Sequence, residues 1–405
     1  MKKLLMLFLA IVLVLGLASC GTKTNPSEGS SQEESGSQAA ELDKHTIGVL
    51  VYNHSDDEVL AFRRYLVNYI SEAFNVEFIY SGDITSHEEE QEFLQRLIDS
   101  GAEGILSFIS YDLAAETELC EQAGVYYMLA SGTVTDEDFA AVEDNPYFLG
   151  VIGPGAFIEY KAGSDMAAFF ADKKGSNEYF ILSGGAAFGN AMHQRRTQGI
   201  LDTLASAYNV TFERSSEELS MTEEPVHIQE GELKICICPG YISRDQFYEK
   251  IKAEFESDQY DTVLSVLGIS RMADVVKGKR LGVIDCYSEA NLQLFATENL
   301  HYLSGKYSSI IGPSFAVMYN AITGYAEEFR PRGKSFHITQ GFWSSDSRED
   351  FEEKYTLASS VEINAYNYED LQKVIKIFNP DATYEDLKAL AEADTFKDAL
   401  ERRAR

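Results

Sequence analysis

The sequence is short of positive charge. Lysine and arginine together number 34, against 65 aspartate and glutamate residues in a chain of 405, so the formal net charge is −31. A surface this acidic repels the phosphate backbone of nucleic acids, which excludes nucleic acid as an expected partner. The content of 45% hydrophobic and 24% charged residues is that of an ordinary globular chain.

The sequence also lacks an apolar run of membrane-spanning length at its start. Residues 4–17 are apolar apart from Gly16, which is shorter than the roughly 20 residues that a spanning helix needs. Lys2 and Lys3 precede the run, and a charged start followed by a short apolar segment is typical of a secretory signal. We therefore expect residues 1–19 to be an export signal.

The end of this segment, Leu17-Ala18-Ser19-Cys20, resembles the lipobox of bacterial lipoproteins. The resemblance implies cleavage before Cys20 and a diacylglyceryl group on its thiol, and two acyl chains anchor a protein stably. The alternative is plain secretion with an incidental cysteine. Residues 20–44 would then form the lipidated cysteine and a flexible tether, because residues 22–41 are Ser-, Gly- and Glu-rich with almost nothing apolar. The expected location is the extracytoplasmic face of the cell membrane.

Recognisable catalytic motifs are missing as well. The sequence contains no Gly-x-Ser-x-Gly, no His-Glu-x-x-His, no Walker lysine loop and no close Cys/His pair, so we expect neither an enzyme nor a cofactor. Four further cysteines are scattered along the chain, and no second close pair or histidine cluster accompanies them, so no metal site is predicted. Buried free thiols or a disulfide remain as alternatives for Cys120, Cys236, Cys238 and Cys286.

What the sequence does contain is a regular alternation of strand and helix patterns. Short β-branched runs are separated by segments with apolar residues at helical spacing, which indicates βαβ units and parallel sheets covered on both faces. The alternation restarts after Pro146, so we predict an α/β fold with two doubly wound parallel sheets. The predicted strands are 46–52, 76–80, 104–109, 125–129 and 147–152, then 178–182, 210–213, 233–238, 262–267, 280–284 and 306–311.

Three segments carry a family resemblance. Residues 184–190 (GGAAFGN) lead to 196–200 (RTQGI), residues 282–285 read GVID, and residues 310–313 (IIGP) precede 320–324 (NAITG). Together they resemble the type I periplasmic-binding-protein fold, the sugar-binding group that bacterial ABC transporters use. The resemblance covers about residues 45–324 and implies two lobes joined by a multi-strand hinge, with ligand contacts at Arg196 and Asp285.

The resemblance and the strand pattern together predict the organisation of the chain. The first α/β lobe would comprise 45–152 and 310–342, the second 153–309 and 343–367, and residues 368–405 would be an added extension of surface helices. The hinge crossings are expected near Gly153, Ile310 and Gly341. Two segments depart from the family pattern: 268–271 (GISR) replaces an Asn-Asp pair, and Ser308-Ser309 replaces the Gln and Pro of many sugar binders.

Polar residues that follow the predicted strands give the candidate binding site. Open α/β sheets bind ligands at the carboxyl ends of their strands. The ligand-binding candidates there are Tyr52, Asn53, Asp56, Ser110, Tyr111 and Ser131. The resemblance adds Arg196 and Asp285, and the glycine-rich loop before Arg196 adds Phe188 and Asn190.

Several of these residues have a competing interpretation. Tyr52 is either a platform for a sugar ring or a packing tyrosine. Arg196 either donates to the ligand or forms an ion pair with an acid, and Asp285 either accepts from the ligand or caps a helix. Trp343 either faces the cleft or packs in the interior. His54 and His193 are expected to be ordinary polar residues.

The function expected from the sequence is capture of a small polar ligand, with a sugar favoured, by a lipid-anchored binding protein. The bound ligand would be delivered to an ABC permease in the membrane. A ligand-sensing lipoprotein of the same fold, signalling to a membrane kinase or chemoreceptor, is the alternative.

Overall fold

The computed structural model describes residues 42–172, 177–184, 190–297, 299–359 and 362–404. Residues 42–405 form one compact unit. None of the helices in the described ranges is both long and apolar enough to cross a membrane.

Thirteen strands lie in the described part of the chain. They are β1 (His45–Val51), β2 (Val76–Asp83), β3 (Gly104–Ser107), β4 (Tyr126–Ala130), β5 (Phe148–Gly153), β6 (Glu178–Leu182), β7 (Val226–Glu230), β8 (Leu233–Cys238), β9 (Thr262–Ser265), β10 (Arg280–Cys286), β11 (Leu300–Lys306), β12 (Phe336–Thr339) and β13 (Trp343–Ser345).

The strands form two sheets. The first has the order β12-β5-β4-β3-β1-β2 and is parallel throughout. The second has the order β13-β11-β10-β9-β6-β8-β7, and only its edge strands β13 and β7 run antiparallel to their neighbours. The predicted fold class, α/β with two doubly wound parallel sheets, is confirmed. The chain passes between the sheets three times: after β5, after β11, and between β12 and β13.

Fifteen α-helices lie in the described part of the chain. They are α1 (Asp57–Tyr65), α2 (Ser71–Phe74), α3 (His87–Asp99), α4 (Leu113–Ala123), α5 (Asp136–Val142), α6 (Ala156–Asp172), α7 (Ala191–Tyr208), α8 (Ser216–Ser220), α9 (Asp245–Glu256), α10 (Glu289–Ala296), α11 (Gly312–Asn320), α12 (Arg348–Ser359), α13 (Tyr368–Gln372), α14 (Tyr384–Glu392) and α15 (Phe396–Arg403).

Two predicted strands are wrong. Residues 210–213 are not a strand, because the Val210 amide donates to the Ala205 carbonyl and so completes the end of α7. The strand predicted at 306–311 lies at 300–306 instead, and residues 308–311 form a short 3₁₀ helix. The apolar pair Ile310-Ile311 is buried, but as the entrance to the fully buried α11.

The C-terminal helices are not an addition to the surface. Leu371, Leu387 and Ala391 are fully buried and belong to the same core as α11. The guanidinium of Arg402 donates to the Ala365 carbonyl at 2.9 Å, which ties α15 to the chain before α13. The segment predicted as an extension therefore contributes to the main core.

Helices α6 and α7 cross at backbone distance. A side chain at Gly163 would overlap the carbonyl of Arg196, and one at Gly199 would overlap the carbonyl of Tyr160. The glycines let the two helices approach until Glu159 on α6 meets Arg196 on α7. This crossing positions one of the predicted site residues.

Candidate functional site

The candidate site lies where the carboxyl ends of strands from both sheets meet. Lys306, at the end of β11 in the second sheet, donates to the Glu58 carboxylate at 3.0 Å and to the Ser131 carbonyl at 2.9 Å. Glu58 follows β1 and Ser131 follows β4, both in the first sheet. Ser288, after β10, donates to Asp57 at 3.4 Å. Side chains from the two sheets are therefore in direct contact here.

We refer to the residues around this junction as the acidic cleft: Tyr52, Asp56, Asp57, Glu58, Asp285 and Lys306. Four of the six are carboxylic acids, and Lys306 is the only cation among them. The cleft combines two residues predicted from the first lobe with one predicted from the second.

Asp56 is positioned by the start of α1. It caps the helix by accepting from the Glu58 amide at 2.9 Å, and the same oxygen accepts from the Tyr52 hydroxyl at 2.9 Å. Burial raises the pKa of Asp56 to about 6, and the nearby Glu58 charge adds to the rise. The hydroxyl of Tyr52 is thus committed to Asp56, while its ring is only half-buried. Asn53 lies in the turn between Tyr52 and Asp56, and its side-chain oxygen accepts from the amide and the hydroxyl of Ser55.

Asp285 faces this group from the second sheet. Asn291 donates to its carboxylate at 2.7 Å. Burial raises the pKa of Asp285 to about 8, and repulsion from Asp56 is the next cause. The competing interpretation of Asp285 as a helix cap is wrong, because Ser288 is the residue that caps α10. Among the described residues, Asn291 is the one side chain that donates a hydrogen bond to the Asp285 carboxyl group in the cleft.

Lys306 and Ser131 are in contact at the junction of the two sheets, and the sequence predicts only Ser131 as a site residue. Lys306 is absent from the predicted site, although its position at the end of a strand that is buried almost throughout is a signal that could identify it. Ser131 was predicted, and it adopts a left-handed backbone with φ of 60°. Its hydroxyl is buried and has no hydrogen-bond partner among the described residues. Strained backbone and unpaired polar atoms concentrate at functional sites.

Arg196 has a different role from a free ligand donor. Its Nε donates to the buried carboxylate of Glu159 at 2.5 Å, and its Nη1 donates to the Val266 carbonyl at 2.8 Å. The guanidinium lies 5.5 Å from the centre of the Phe342 ring. Both Arg196 and Glu159 are buried, so the interpretation as an ion pair fits the structure.

The residues around Arg196 are also partly structural. Asn190 caps α7 by accepting from the amides of Met192 and His193. His193 is buried with its Nδ1 3.0 Å from the Tyr241 hydroxyl. Burial and the nearby Arg196 and Lys306 hold the pKa of His193 well below its usual range, which leaves it uncharged. Phe188 lies outside the described residues.

Ser110 and Tyr111 form a loop that a buried carboxyl pair holds in place. Ser110 donates to Glu116 at 3.0 Å, and the Tyr111 amide donates to both Glu90 and Glu116. Burial, together with repulsion by Glu116, raises the pKa of Glu90 to about 10, so Glu90 carries a proton at neutral pH. The Tyr111 side chain is exposed at the surface of the loop. Partial burial raises the pKa of its hydroxyl, and the positive charge of Arg244, from the other lobe, acts in the opposite direction.

Two other candidates lie outside the cleft. Trp343 is buried, stacks on Tyr307 with ring centres 3.9 Å apart, and donates from Nε1 to the Asp394 carbonyl at 2.8 Å. It therefore packs in the interior. His54 contacts the Ser81 carbonyl at 2.7 Å through Nε2, an ordinary polar contact.

The charges of the cleft restrict the ligand. Lys306 is paired with Glu58 and Arg196 is paired with Glu159, so neither cation is left to balance an anionic ligand. Asp56 and Asp285 offer oxygen acceptors, and Tyr52 offers an aromatic face. This arrangement suits a ligand that carries hydroxyl donors and no negative charge.

Comparison with known proteins gives the fold and leaves the function open. No family model matches the chain, and no curated protein sequence matches it. Many solved structures do match, and three of them share 11–13% sequence identity with this chain.

A binding protein of the arabinose ABC transporter from Shewanella sp. ANA-3 shares 12% identity at a TM-score of 0.55, covering 76% of this chain and 94% of its own. An ABC transporter solute-binding protein from Bacillus halodurans with bound myo-inositol shares 13% at 0.56, covering 78% and 99%. A putative LacI transcriptional regulator from Bacteroides fragilis shares 11% at 0.52, covering 77% and 99%. The chain therefore has the type I periplasmic-binding-protein fold.

Proposed function

We propose that the protein is the extracytoplasmic solute-binding lipoprotein of an ABC importer, and that it captures a neutral, hydroxyl-rich ligand, a sugar in the first instance, between its lobes. One observation supports this most: the acidic cleft gathers Asp56 and Tyr52 from one sheet and Asp285 from the other at the carboxyl ends of their strands. The two transport proteins of this fold described above, one of an arabinose transporter and one with bound myo-inositol, agree with a polyhydroxylated ligand.

The chemistry of the cleft supports a sugar over the other small polar ligands. A sugar hydroxyl can hydrogen-bond to a carboxyl group without bringing a charge of its own. The Tyr52 hydroxyl donates to Asp56 and the Asn291 amide donates to Asp285. The apolar C–H face of a sugar ring fits against an aromatic face such as that of Tyr52. A sugar acid or phosphate would meet four carboxylic acids, with Lys306 and Arg196 already paired.

Binding between the lobes would couple capture to closure. A ligand that contacts Asp56 on one lobe and Asp285 on the other stabilises the closed arrangement by its differential affinity for that state. Lys306 joins the lobes through Glu58 and Ser131. We propose that a permease recognises the closed form.

The lipid anchor is part of the same proposal. It rests on the resemblance of Leu17-Ala18-Ser19-Cys20 to a lipobox, and Cys20 lies outside the described residues. Metabolic labelling with a radioactive fatty acid tests it: the label is expected in the full chain and should be absent from Cys20→Ala. Labelling that persists in the variant would contradict lipidation at this residue.

A thermal-shift screen tests the ligand class. Neutral pentoses, hexoses and cyclic polyols are compared with amino acids, nucleosides and sugar acids at the same concentration. A ligand present at 100 times its Kd stabilises the folded state by about 2.7 kcal/mol, which is a shift of several degrees. Stabilisation by an amino acid or nucleoside, with none by any neutral sugar or polyol, would contradict the sugar proposal.

The control for the site is a matched pair of variants. Asp285→Ala should remove most of the shift that a positive ligand gives, while Asp99→Ala, an exposed acid at the end of α3, should keep it. An equal ligand-induced shift in both variants would place the ligand elsewhere.

A further inference from the structure

A second cluster of chemically reactive side chains lies at the outer edge of the second sheet. His227 on β7 and Cys236 on β8 are direct partners across the antiparallel strand pair, and Glu254 projects from α9 beside them. One nitrogen of the histidine, the thiol sulfur and one carboxylate oxygen all lie within 4.8 Å of one another. Strands β9, β6 and β8 separate this edge from β10, which carries Asp285 in the acidic cleft.

We propose that His227, Cys236 and Glu254 bind a divalent transition-metal ion of the zinc class, with a solvent molecule in the fourth position. The set of one sulfur, one nitrogen and one oxygen donor suits Zn²⁺, which takes thiolate, imidazole and carboxylate ligands in a tetrahedral arrangement. Calcium and magnesium prefer oxygen donors throughout, so the thiol and the imidazole disfavour them.

The geometry allows the three side chains to close on such an ion. Tetrahedral zinc with bonds of about 2.0 to 2.3 Å places neighbouring ligand atoms roughly 3.3 to 3.7 Å apart. His227 Nε2 and Glu254 Oε1 are 2.8 Å apart, and both side chains have room to rotate because the histidine is 52% exposed and the glutamate 23%. Cys236 is fully buried on its strand and provides the fixed point.

The neighbours of the cluster orient the ligands. The Tyr260 hydroxyl lies 3.3 Å from His227 Nδ1, which holds the ring with Nε2 turned toward Glu254. A hydrogen bond to the second nitrogen of a metal-binding histidine is the usual way in which proteins fix its orientation. Lys234 lies over the Tyr260 ring, but Asp258 pairs with it at 2.7 Å. The positive charge of Lys234 is therefore compensated.

Metal binding would change the protonation of the thiol. Burial, with repulsion from Glu254, raises the pKa of Cys236 to about 12, so the sulfur carries a proton when no ion is bound. Binding releases that proton to solvent as the metal–sulfur bond forms, and no oxidant or reductant is needed. The bound ion would link β7, an edge strand paired on one side only, to α9.

Cobalt(II) titration of the full chain carrying Cys20→Ala tests the proposal, because Co²⁺ substitutes for zinc and reports a bound thiolate by a charge-transfer band in the near ultraviolet. We expect one equivalent of Co²⁺ to produce this band, and Zn²⁺ to abolish it by displacement. Cys236→Ser should lose the band. His227→Gln, a change at an exposed position that leaves the core intact, should weaken binding by at least about 10-fold.

The controls distinguish this cluster from adventitious binding. Cys120→Ala removes a buried thiol of the first sheet's core, and His87→Gln removes a histidine of α3; both should titrate as the parent does. The proposal is overturned if no thiolate band forms, or if His227→Gln binds Co²⁺ as tightly as the parent. Should Cys236→Ser fail to fold, the His227→Gln result decides alone.

Discussion

The most specific consequence of the acidic cleft concerns Asp285 and pH. Replacing it with asparagine removes the titrating group but keeps an oxygen that accepts from Asn291, and it preserves the size of the side chain. The substitution therefore isolates the electrostatic cost of holding this carboxyl beside Asp56. We expect Asp285→Asn to stabilise the protein in alkaline solution and to leave its stability in acid unchanged.

The sign and size follow from the pKa. The folded protein raises the pKa of Asp285 from 3.8 to about 8, so the folded state binds the proton more tightly than the unfolded chain does. The free energy of unfolding of the parent then falls as the pH rises from about 4 to about 8, and this component is constant above that range. Four pKa units correspond to about 5 kcal/mol as an upper limit. Asp285 keeps some access to solvent, and we expect a difference of about 1 to 3 kcal/mol.

Urea unfolding at pH 5, 7 and 9 measures this difference directly, on protein refolded from denaturant so that bound ligand is removed. The stability of Asp285→Asn relative to the parent should increase steadily across the three values. Asp99→Asn, at an exposed acid, should show the same small difference at each pH. If Asp285→Asn differs from the parent equally at pH 5 and pH 9, the carboxyl is not held in an unfavourable environment and the described cleft is wrong.

Three further substitutions test other parts of the structure. Lys306→Met leaves the Glu58 carboxylate without its buried partner, and urea unfolding should show a loss of about 2 to 4 kcal/mol. A loss below about 0.5 kcal/mol would contradict the contact between the lobes. Gly163→Ala places a methyl group against the Arg196 carbonyl where α6 crosses α7, and should lower the Tm of the protein by roughly 5 °C or more. An unchanged Tm would show that the two helices do not approach so closely. Arg402→Ala removes the contacts of α15 with the Ala365 carbonyl, and the rate of amide hydrogen exchange should increase across residues 365–404. Unchanged exchange rates would show that these contacts do not hold residues 365–404 in place.

Much of the fold could be predicted because its signals are local. Buried parallel strands are short apolar runs, and the helices that cover them repeat apolar residues at helical spacing, so the order of elements can be inferred without any knowledge of contacts. The errors occurred where a contact distant in sequence decides the structure. Ile310-Ile311 has the composition of a strand, but it enters the buried helix α11.

The candidate site was predictable in part for the same reason. Asp56 and Ser131 follow predicted strands, whose ends meet at one edge of a sheet, and Asp285 follows from the family resemblance of residues 282–285. The commitment of Arg196 to Glu159 depends on the crossing of α6 and α7, which no local pattern shows. The pairing of Lys306 with Glu58 spans 248 residues, so it was equally hidden.

The cluster of His227, Cys236 and Glu254 also depends on contacts between residues that are distant in sequence. The sequence predicts no metal site because its ligands do not fall at motif spacing, and only the pairing of β7 with β8 brings the histidine to the thiol. Clusters of this kind become visible when the sheet order is known.

Isothermal titration calorimetry of neutral sugars and cyclic polyols against the parent and Asp285→Ala, at pH 7, tests the central claim most directly. We predict that at least one neutral ligand binds the parent, and that the loss of Asp285 weakens this binding about 10-fold, the cost of one buried hydrogen bond. Equal affinity of the ligand for both proteins, or binding of a sugar acid while every neutral sugar and polyol fails, would contradict it.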